Sequence, residues 1–433
     1  MTSFPRSLAL LLALLLAACT STATPTASVS PAPTFAGTPS PTLEASPSGL
    51  PTDGPTISPT TTPTANPTST PAATPTPTAT PVSGSLASQL SAPLGEVLDQ
   101  QRTSLNIPGI SAAIIFPDGS MWSAGSGLAE VSPARNVSTD TPFVAGSITK
   151  TFVAATIMQL ADEGQLSLDD PLSNWVADFP RAGQISLRML LSHTSGVFNL
   201  YEDGDYYRLV VRHSHRTWTP QDVLDNLVEA PYCDPGACYH YSNTGFILLG
   251  LVIEAQTNKP LGTVFRERLF APLGLNATYF QGDGPPPASS ARGYRASKAG
   301  NVAIDDGSSY RPTQSEGTVI WAAGGIVASA RDIARWARAL YGGDVISADS
   351  LAQMTDFVLR PQPQGGYYGL GTRMRSFDGI SMEGHTGTLR AFNAAMWYLP
   401  SLDLTVVVMT NRTGIDANAI TDALLAVAVP AVD

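Results

Sequence analysis

Gly146-Ser147-Ile148-Thr149-Lys150 sets a serine three residues ahead of a lysine, at the head of an apolar run. That run, from Phe152 through Leu160, repeats at helical spacing and stops near Gly164, a residue suited to a helix C-terminus. Residues three apart on a helix are neighbours, so Ser147 and Lys150 share one face of a helix start. The partial positive charge of a helix N-terminus favours an alkoxide, and an adjacent ammonium does the same. The stretch therefore predicts a helix carrying nucleophilic chemistry in its first turn. A Ser-x-x-Lys alone arises often by chance in a chain of 433 residues, so its meaning depends on what accompanies it.

Two further stretches accompany it, in a fixed order. Tyr241-Ser242-Asn243 lies downstream, and His385-Thr386-Gly387 lies near the end. A serine, a lysine, a tyrosine and a basic residue before Thr-Gly are the parts needed for acyl transfer without a Ser-His-Asp triad. With these elements in this order the chain resembles the serine β-lactamase and DD-peptidase superfamily, in its class C β-lactamase-like branch. Leu190-Leu191-Ser192-His193-Thr194-Ser195-Gly196 resembles that branch's LLxHTSG stretch. Ala322-Ala323-Gly324-Gly325-Ile326, followed by Ser329-Ala330-Arg331-Asp332, resembles its later Gly-Gly turn and helix start. Histidine before Thr386-Gly387 is closer to serine-type D-Ala-D-Ala carboxypeptidases than to enzymes carrying Lys-Thr-Gly. The likeness covers about residues 90–430.

The resemblance implies an α/β (α+β) fold: an antiparallel sheet flanked by helices, an inserted all-α lobe, and the site in the crevice between them. The residues agree. Residues 86–105 read as an amphipathic helix, and Ile110–Ile115 with Met121–Ser123 as a hairpin. Helix-start signals stand at Asp170-Pro171 and Thr219-Pro220, and a helix is expected over Asp332–Leu340. Strands are expected around Gly366–Met374, Leu389–Leu399 and Leu404–Thr410, and a closing helix from Asp416.

The resemblance also assigns roles. Ser147 is the expected nucleophile, its own N–H and that of Thr388 forming the oxyanion hole. Lys150 is the proton acceptor or the electrostatic aid to Tyr241, and Tyr241 matches the branch's general-base tyrosine. A free phenol titrates near ~10, so that role needs positive charge close by. Asn243 matches the residue that holds Lys150 and the substrate amide, and it could equally cap the helix beginning at Thr244. His385, on a strand edge, can donate to Tyr241 or to an anionic substrate, with a charge that varies near neutral pH. Thr386, Gly387 and Thr388 complete the substrate-binding strand. Arg373 is either a bidentate ligand for a C-terminal carboxylate or a surface arginine.

The rest of the chain bounds the setting. Arg6 followed by the apolar run Leu8–Leu16 and by Leu16-Ala17-Ala18-Cys19 fits a bacterial lipoprotein signal over residues 1–18, with Cys19 the lipid attachment point. Residues 19–84 are nearly all Thr, Pro, Ser and Ala, with Glu44 and Asp53 the only acids and no lysine or arginine. Such a segment has nothing with which to bury a core and reads as a disordered tether. Residues 85–433 are the hydrolase domain. The chain is acidic, with a net charge of −11, which argues against nucleic acid as a partner.

Cys233 and Cys238 are the only other cysteines, and a disulfide is expected in an exported protein. His193 is expected to hydrogen-bond inside the helical lobe. His213 and His215 read as an exposed basic loop, and no metal site or organic cofactor is expected. The Asn-x-Ser/Thr sequences at Asn136, Asn276 and Asn411 read as accidental. The functional expectation is a lipid-anchored, monomeric, extracytoplasmic serine hydrolase, DD-carboxypeptidase-like on peptidoglycan stem peptides. Its partners would be a peptidyl or small acyl substrate and, through the lipid, the membrane. The alternatives are a β-lactamase, an esterase or a D-aminopeptidase on the same scaffold, and a non-catalytic surface receptor for wall peptides or penicillin.

Overall fold

The structure is a computed structural model that describes residues 84–298, 300–303, 313–361 and 366–432. The expected signal segment, Cys19 and the tether up to residue 83 lie outside the described residues. No helix among the described residues is long and apolar enough to cross a membrane.

Nine strands form one antiparallel sheet: β1 (Gly109–Ile115), β2 (Met121–Glu130), β3 (Arg135–Asn136), β4 (Val358–Arg360), β5 (Gly366–Tyr368), β6 (Arg373–Phe377), β7 (Ile380–Leu389), β8 (Phe392–Leu399) and β9 (Leu404–Thr410). Their spatial order is β3-β2-β1-β9-β8-β7-β6-β5-β4. The first three strands precede the helical lobe and the other six follow it, and the two groups meet where Ile110 pairs with Thr410. The sheet is thus closed from both ends of the domain around an insertion, as the sequence predicts.

Side chains that alternate along a strand face opposite sides of a sheet, and here both sides are covered. Val406 and Val408 of β9, with Ile110 and Ala112 of β1, pack against the terminal helices α1 (Ser91–Ser104) and α6 (Ala417–Ala428). Val407 and Met409 belong to the opposite core, shared with α2 (Thr149–Asp162), α3 (Asn243–Thr257), α4 (Gln314–Gly324) and α5 (Ala330–Tyr341). Helix α2 is buried around most of its circumference, with Phe152 stacked on Trp336 at 4.0 Å between ring centroids. A second, three-stranded sheet joins Phe143–Val144, Ile326–Ala328 and Thr278–Phe280. It was not foreseen in the sequence, because its strands are two or three residues long.

Three local expectations change. The single strand expected over 366–374 is two strands, β5 and β6, joined at a tight turn. The strand expected over 389–399 straddles the turn between β7 and β8, where Arg390 adopts φ +50°. Thr219 does cap Pro220–Asn226, in a reciprocal capping box with Asp222, whereas Asp170-Pro171 leads only into one tight turn, because Pro171 bridges to Ser186 instead.

Candidate active site

Ser147 sits in the middle of a single tight turn, Gly146–Ile148, that runs directly into α2. Two contacts hold that turn. The Ala145 N–H donates to the Ile326 carbonyl at 2.9 Å, and the Ile326 N–H donates to the Thr149 hydroxyl at 3.0 Å. The Ala-Ala-Gly-Gly-Ile stretch therefore clamps the nucleophile turn to the rest of the lobe. On the other side lies β7. Its pairing with β6 ends at Arg373 opposite Gly384, so from His385 onward that edge of β7 is left to the Ser147 turn. The approach is close enough to require glycine. A Cβ on Gly387 would stand 1.8 Å from the Ala145 carbonyl oxygen, and one on Gly146 would stand 2.9 Å from the Thr388 nitrogen. The backbones of Ser147 and Thr388 are thereby set side by side.

Lys150, one turn into the helix, is fully buried. Its Nζ lies 3.1 Å from Ser147 Oγ, 2.8 Å from Asn243 Oδ1 and 2.7 Å from the Ala323 carbonyl oxygen. Burial, and then the Arg373 guanidinium, hold its pKa well below the usual lysine value of 10.5. Lys150 Nζ donates to all three. The Ala323 carbonyl and Asn243 Oδ1 can only accept, and Ser147 alone among the three can also donate. Once Lys150 gives up a proton, its two remaining hydrogens stay with the two carbonyl-type oxygens and its lone pair faces the Ser147 hydroxyl.

The Asn243 orientation is set in turn by Asn199. Asn243 Nδ2 and N–H both donate to Asn199 Oδ1, at 3.1 and 3.2 Å, which turns Asn243 Oδ1 toward the lysine. Asn199 Nδ2 donates to Glu202 at 3.2 Å. The helix cap is not Asn243. Ser242 takes that role, its hydroxyl accepting from the Gly245 N–H at 3.3 Å, and α3 starts at Asn243 itself.

Tyr241 hydrogen-bonds to both Ser147 and Arg373. Its hydroxyl is nonetheless pushed above the ordinary value of 10, because burial outweighs the pull of Arg373 and of the two hydrogen bonds. The resting residue is a phenol. Hydrogen bonds link Tyr241 to Ser147 and Ser147 to Lys150, and the chain continues through Asn243 and Asn199 to the Glu202 carboxylate. Arg373, expected either here or on the surface, is in the site: its Cζ is 5.4 Å from the Tyr241 ring centroid and 5.4 Å from that of Tyr368.

His385 departs from its expectation. Its ring is buried, with Nδ1 2.5 Å from the Thr386 carbonyl oxygen and Nε2 3.2 Å from the Tyr368 hydroxyl, so it faces Tyr368 rather than Tyr241 or a substrate. Burial, then Arg373 and Lys150, hold it well below 6.5, so it stands neutral at physiological pH instead of changing charge there. His193 is its counterpart across the cleft. The Ser242 N–H donates to His193 Nδ1 at 3.2 Å, which leaves Nε2–H to donate to the Tyr368 hydroxyl at 3.0 Å. Tyr368 then donates to His385 Nε2, and His385 Nδ1–H donates to Thr386. A second hydrogen-bonded chain thus ties the Tyr-Ser-Asn loop to the His-Thr-Gly strand. His193 reaches beyond the helical lobe, further than the sequence suggested.

Cys233 and Cys238 form a disulfide. The loop they close is laid along the His-Thr-Ser-Gly stretch, with the Gly236 N–H donating to Thr194 at 2.8 Å and the His240 N–H to His193 at 2.9 Å. Thr386 is half-buried and Thr388 exposed, both on the strand beside Ser147. His213 and His215 are exposed, and the described residues contain no cluster able to hold a metal ion. Asn136 and Asn276 are exposed, but Asn411 is buried, its side chain accepting from the Gly109 N–H and donating to Leu128 and Arg292. A cavity of about 520 Å³ lined by Phe179, Val197 and Leu224 lies in the helical lobe, and Ser147, Lys150 and Tyr241 do not line it. Asn199 and Tyr368 carry no motif-level signal, because each acts through a contact distant in sequence; Ala323 lies in the quoted Ala-Ala-Gly-Gly-Ile stretch, but its carbonyl contact to Lys150 is not legible there.

Comparison with known proteins agrees with this geometry. The model of the Beta-lactamase family matches residues 94–429. Unguisins hydrolase ungD' of Aspergillus campestris is 29% identical over 349 residues, which cover 73% of this chain but only 61% of that protein. Penicillin-binding protein 4 of Amycolatopsis lactamdurans is 28% identical over 356 residues, covering 76% of this chain and 86% of that one. Among solved structures, a D-amino acid amidase from Ochrobactrum anthropi SV3, complexed with L-phenylalanine amide, superposes with a TM-score of 0.70 at 26% identity, over 79% of this chain and 99% of that one. The chain belongs to the beta-lactamase family and is a serine hydrolase of the β-lactamase and penicillin-binding-protein superfamily.

Proposed function

We propose that the chain is a DD-carboxypeptidase-like acyl-transfer hydrolase that removes a C-terminal D-residue from a peptide. Arg373 supports this reading: its guanidinium, hydrogen-bonded to Tyr241, is suited to bind the carboxylate of a leaving amino acid. Ser147 gives its proton to Lys150 as Oγ attacks the penultimate carbonyl. The Ser147 and Thr388 N–H groups receive the developing oxyanion, each worth about 3 kcal/mol in the transition state. Collapse breaks the C–N bond, and the phenol of Tyr241 protonates the leaving nitrogen. Lys150 returns the serine proton toward Tyr241, so the net change is transfer of the acyl group to Ser147 and release of the amine. Water then resolves the ester. We also propose that the N-terminal segment anchors and tethers the domain outside the cytoplasm, in keeping with the Cys19 lipobox and the Thr/Pro-rich stretch.

The likeness to a D-amino acid amidase supports a second reading, in which the D-residue is the acyl donor and its own amino group is recognised. A matched substrate pair separates the two. A peptide ending in D-Ala-D-Ala with a free carboxylate should be cleaved about tenfold or more faster than its C-terminal amide, and Arg373→Gln should abolish the preference. Faster cleavage of a free D-amino-acyl amide than of either peptide would replace the first reading with the second.

A further inference from the structure

Arg373 has a second guanidinium beyond it. Arg360 lies on β4, the edge strand of the large sheet, two strands out from β6. Its Cζ stands 5.4 Å from the centroid of the Tyr239 ring. Tyr239 packs in turn 6.2 Å from the Tyr368 ring and 6.1 Å from that of His193. Arg373, Tyr368, Tyr239 and Arg360 therefore form a continuous run of contacts that starts beside Tyr241. Both arginines act on the same groups: the field at His193 includes Lys150, Arg373 and Arg360, and both guanidiniums pull on the Tyr239 phenol, which burial lifts to about 12.

Among the described residues neither arginine has a carboxylate partner, and the Nε of each is buried without a hydrogen-bond acceptor. Elsewhere in this acidic chain arginines such as Arg188, Arg268, Arg338 and Arg375 are paired with carboxylates. A buried N–H left without an acceptor destabilises the fold unless a ligand supplies one. Two such groups on one run of contacts leave two guanidiniums able to take an anion.

We propose that Arg360 forms a second anion subsite on the leaving-group side, so that the preferred leaving residue is a D-amino acid with an acidic side chain. This rests on the DD-carboxypeptidase-like reading above, with Arg373 taking the α-carboxylate and Arg360 the side-chain carboxylate. Tyr239 forms the floor between them. Its ring centroid lies 5.4 Å from the Arg360 Cζ, a cation–π contact that leaves the guanidinium N–H groups able to engage a carboxylate.

The test uses the whole chain and three peptides identical except for the last residue: D-Glu, its neutral isostere D-Gln, and D-Ala. Wild type should cleave the D-Glu peptide with kcat/KM about tenfold or more above the D-Gln peptide, and the preference should shrink at high salt. Arg360→Gln should bring the two within about twofold by lowering D-Glu cleavage far more than D-Ala cleavage, and Arg360→Lys should restore part of the preference. Equal rates on D-Glu and D-Gln in wild type, or a preference that survives Arg360→Gln, would overturn the proposal. Failure to cleave all three peptides, in protein still acylated at Ser147 by benzylpenicillin, would overturn the carboxypeptidase reading and the proposal with it.

Discussion

At the scale of single residues, the site depends on which groups can donate and which cannot. Two carbonyl-type acceptors hold Lys150 so that, once deprotonated, its lone pair faces Ser147. Its depressed pKa keeps that lone pair available below the usual lysine range. Activity should therefore rise with pH as Lys150 loses its proton, at a pH below 10.5, and fall again only as Tyr241 ionises above 10. Asn243→Asp places a carboxylate against the amine, favours the ammonium and raises the lysine pKa. Its kcat/KM profile should shift toward alkaline pH, with activity at pH 7 reduced more than at pH 9. An unmoved rising limb would mean that Lys150 is not the titrating base. Tyr241→Phe should lower kcat/KM by roughly 10²–10⁴ through loss of the proton donor, measured on the D-Ala-D-Ala peptide.

At the scale of elements, two contacts decide the geometry: the turn of Ser147 against β7, and the Tyr368 bridge between loop and strand. Gly387→Val puts a side chain where 1.8 Å is available. It should separate the two backbones that form the oxyanion hole, lowering kcat by about 10² or more while protein that remains folded still binds peptide, as read by steady-state kinetics. Tyr368→Phe leaves the His193 donor and the His385 acceptor unsatisfied in a buried setting, a loss of about 1–3 kcal/mol measurable by urea unfolding. The sequence displayed part of this. Ser147, Lys150 and Tyr241 were legible because their spacing and order are local signals, and the hairpin, α2 and the closing helix because their apolar periodicity is strong. Asn199 and Tyr368 were not legible: each meets its partner across a long stretch of chain, 44 residues for Asn199 and Asn243, 175 for His193 and Tyr368. The neutral state of His385 was not legible either: a strand-edge position says nothing about burial, and burial is what sets its charge.

At the scale of the whole molecule, the sheet is closed from the two ends of the domain and the helical lobe is held against it by buried, neutral histidines. His193 and His385 both sit well below 6.5 in the folded state. Unfolding frees them to take up protons at their ordinary value, so their contribution to stability is complete above pH 6.5 and is lost as the pH falls toward their depressed native values. Each steepens the fall by up to about 1.4 kcal/mol per pH unit in that window. Urea midpoints measured between pH 7.5 and 5 should drop accordingly, and a flat profile would place charged imidazoles in the fold. The overall architecture was legible because the central strands are continuous apolar runs at the two ends of the domain and the insertion between them is mostly helix and loop, whereas the strands of the three-stranded sheet are too short to display a pattern. The measurement that bears most directly on the account is intact-mass spectrometry with peptide mapping of the protein during reaction with benzylpenicillin, at several pH values. The account predicts an acyl adduct on Ser147 alone, absent in Ser147→Ala, that forms faster as the pH rises toward the Lys150 pKa and loses this dependence in Lys150→Arg. Turnover of peptide or penicillin that persists in Ser147→Ala, or an adduct on any other residue, would contradict it.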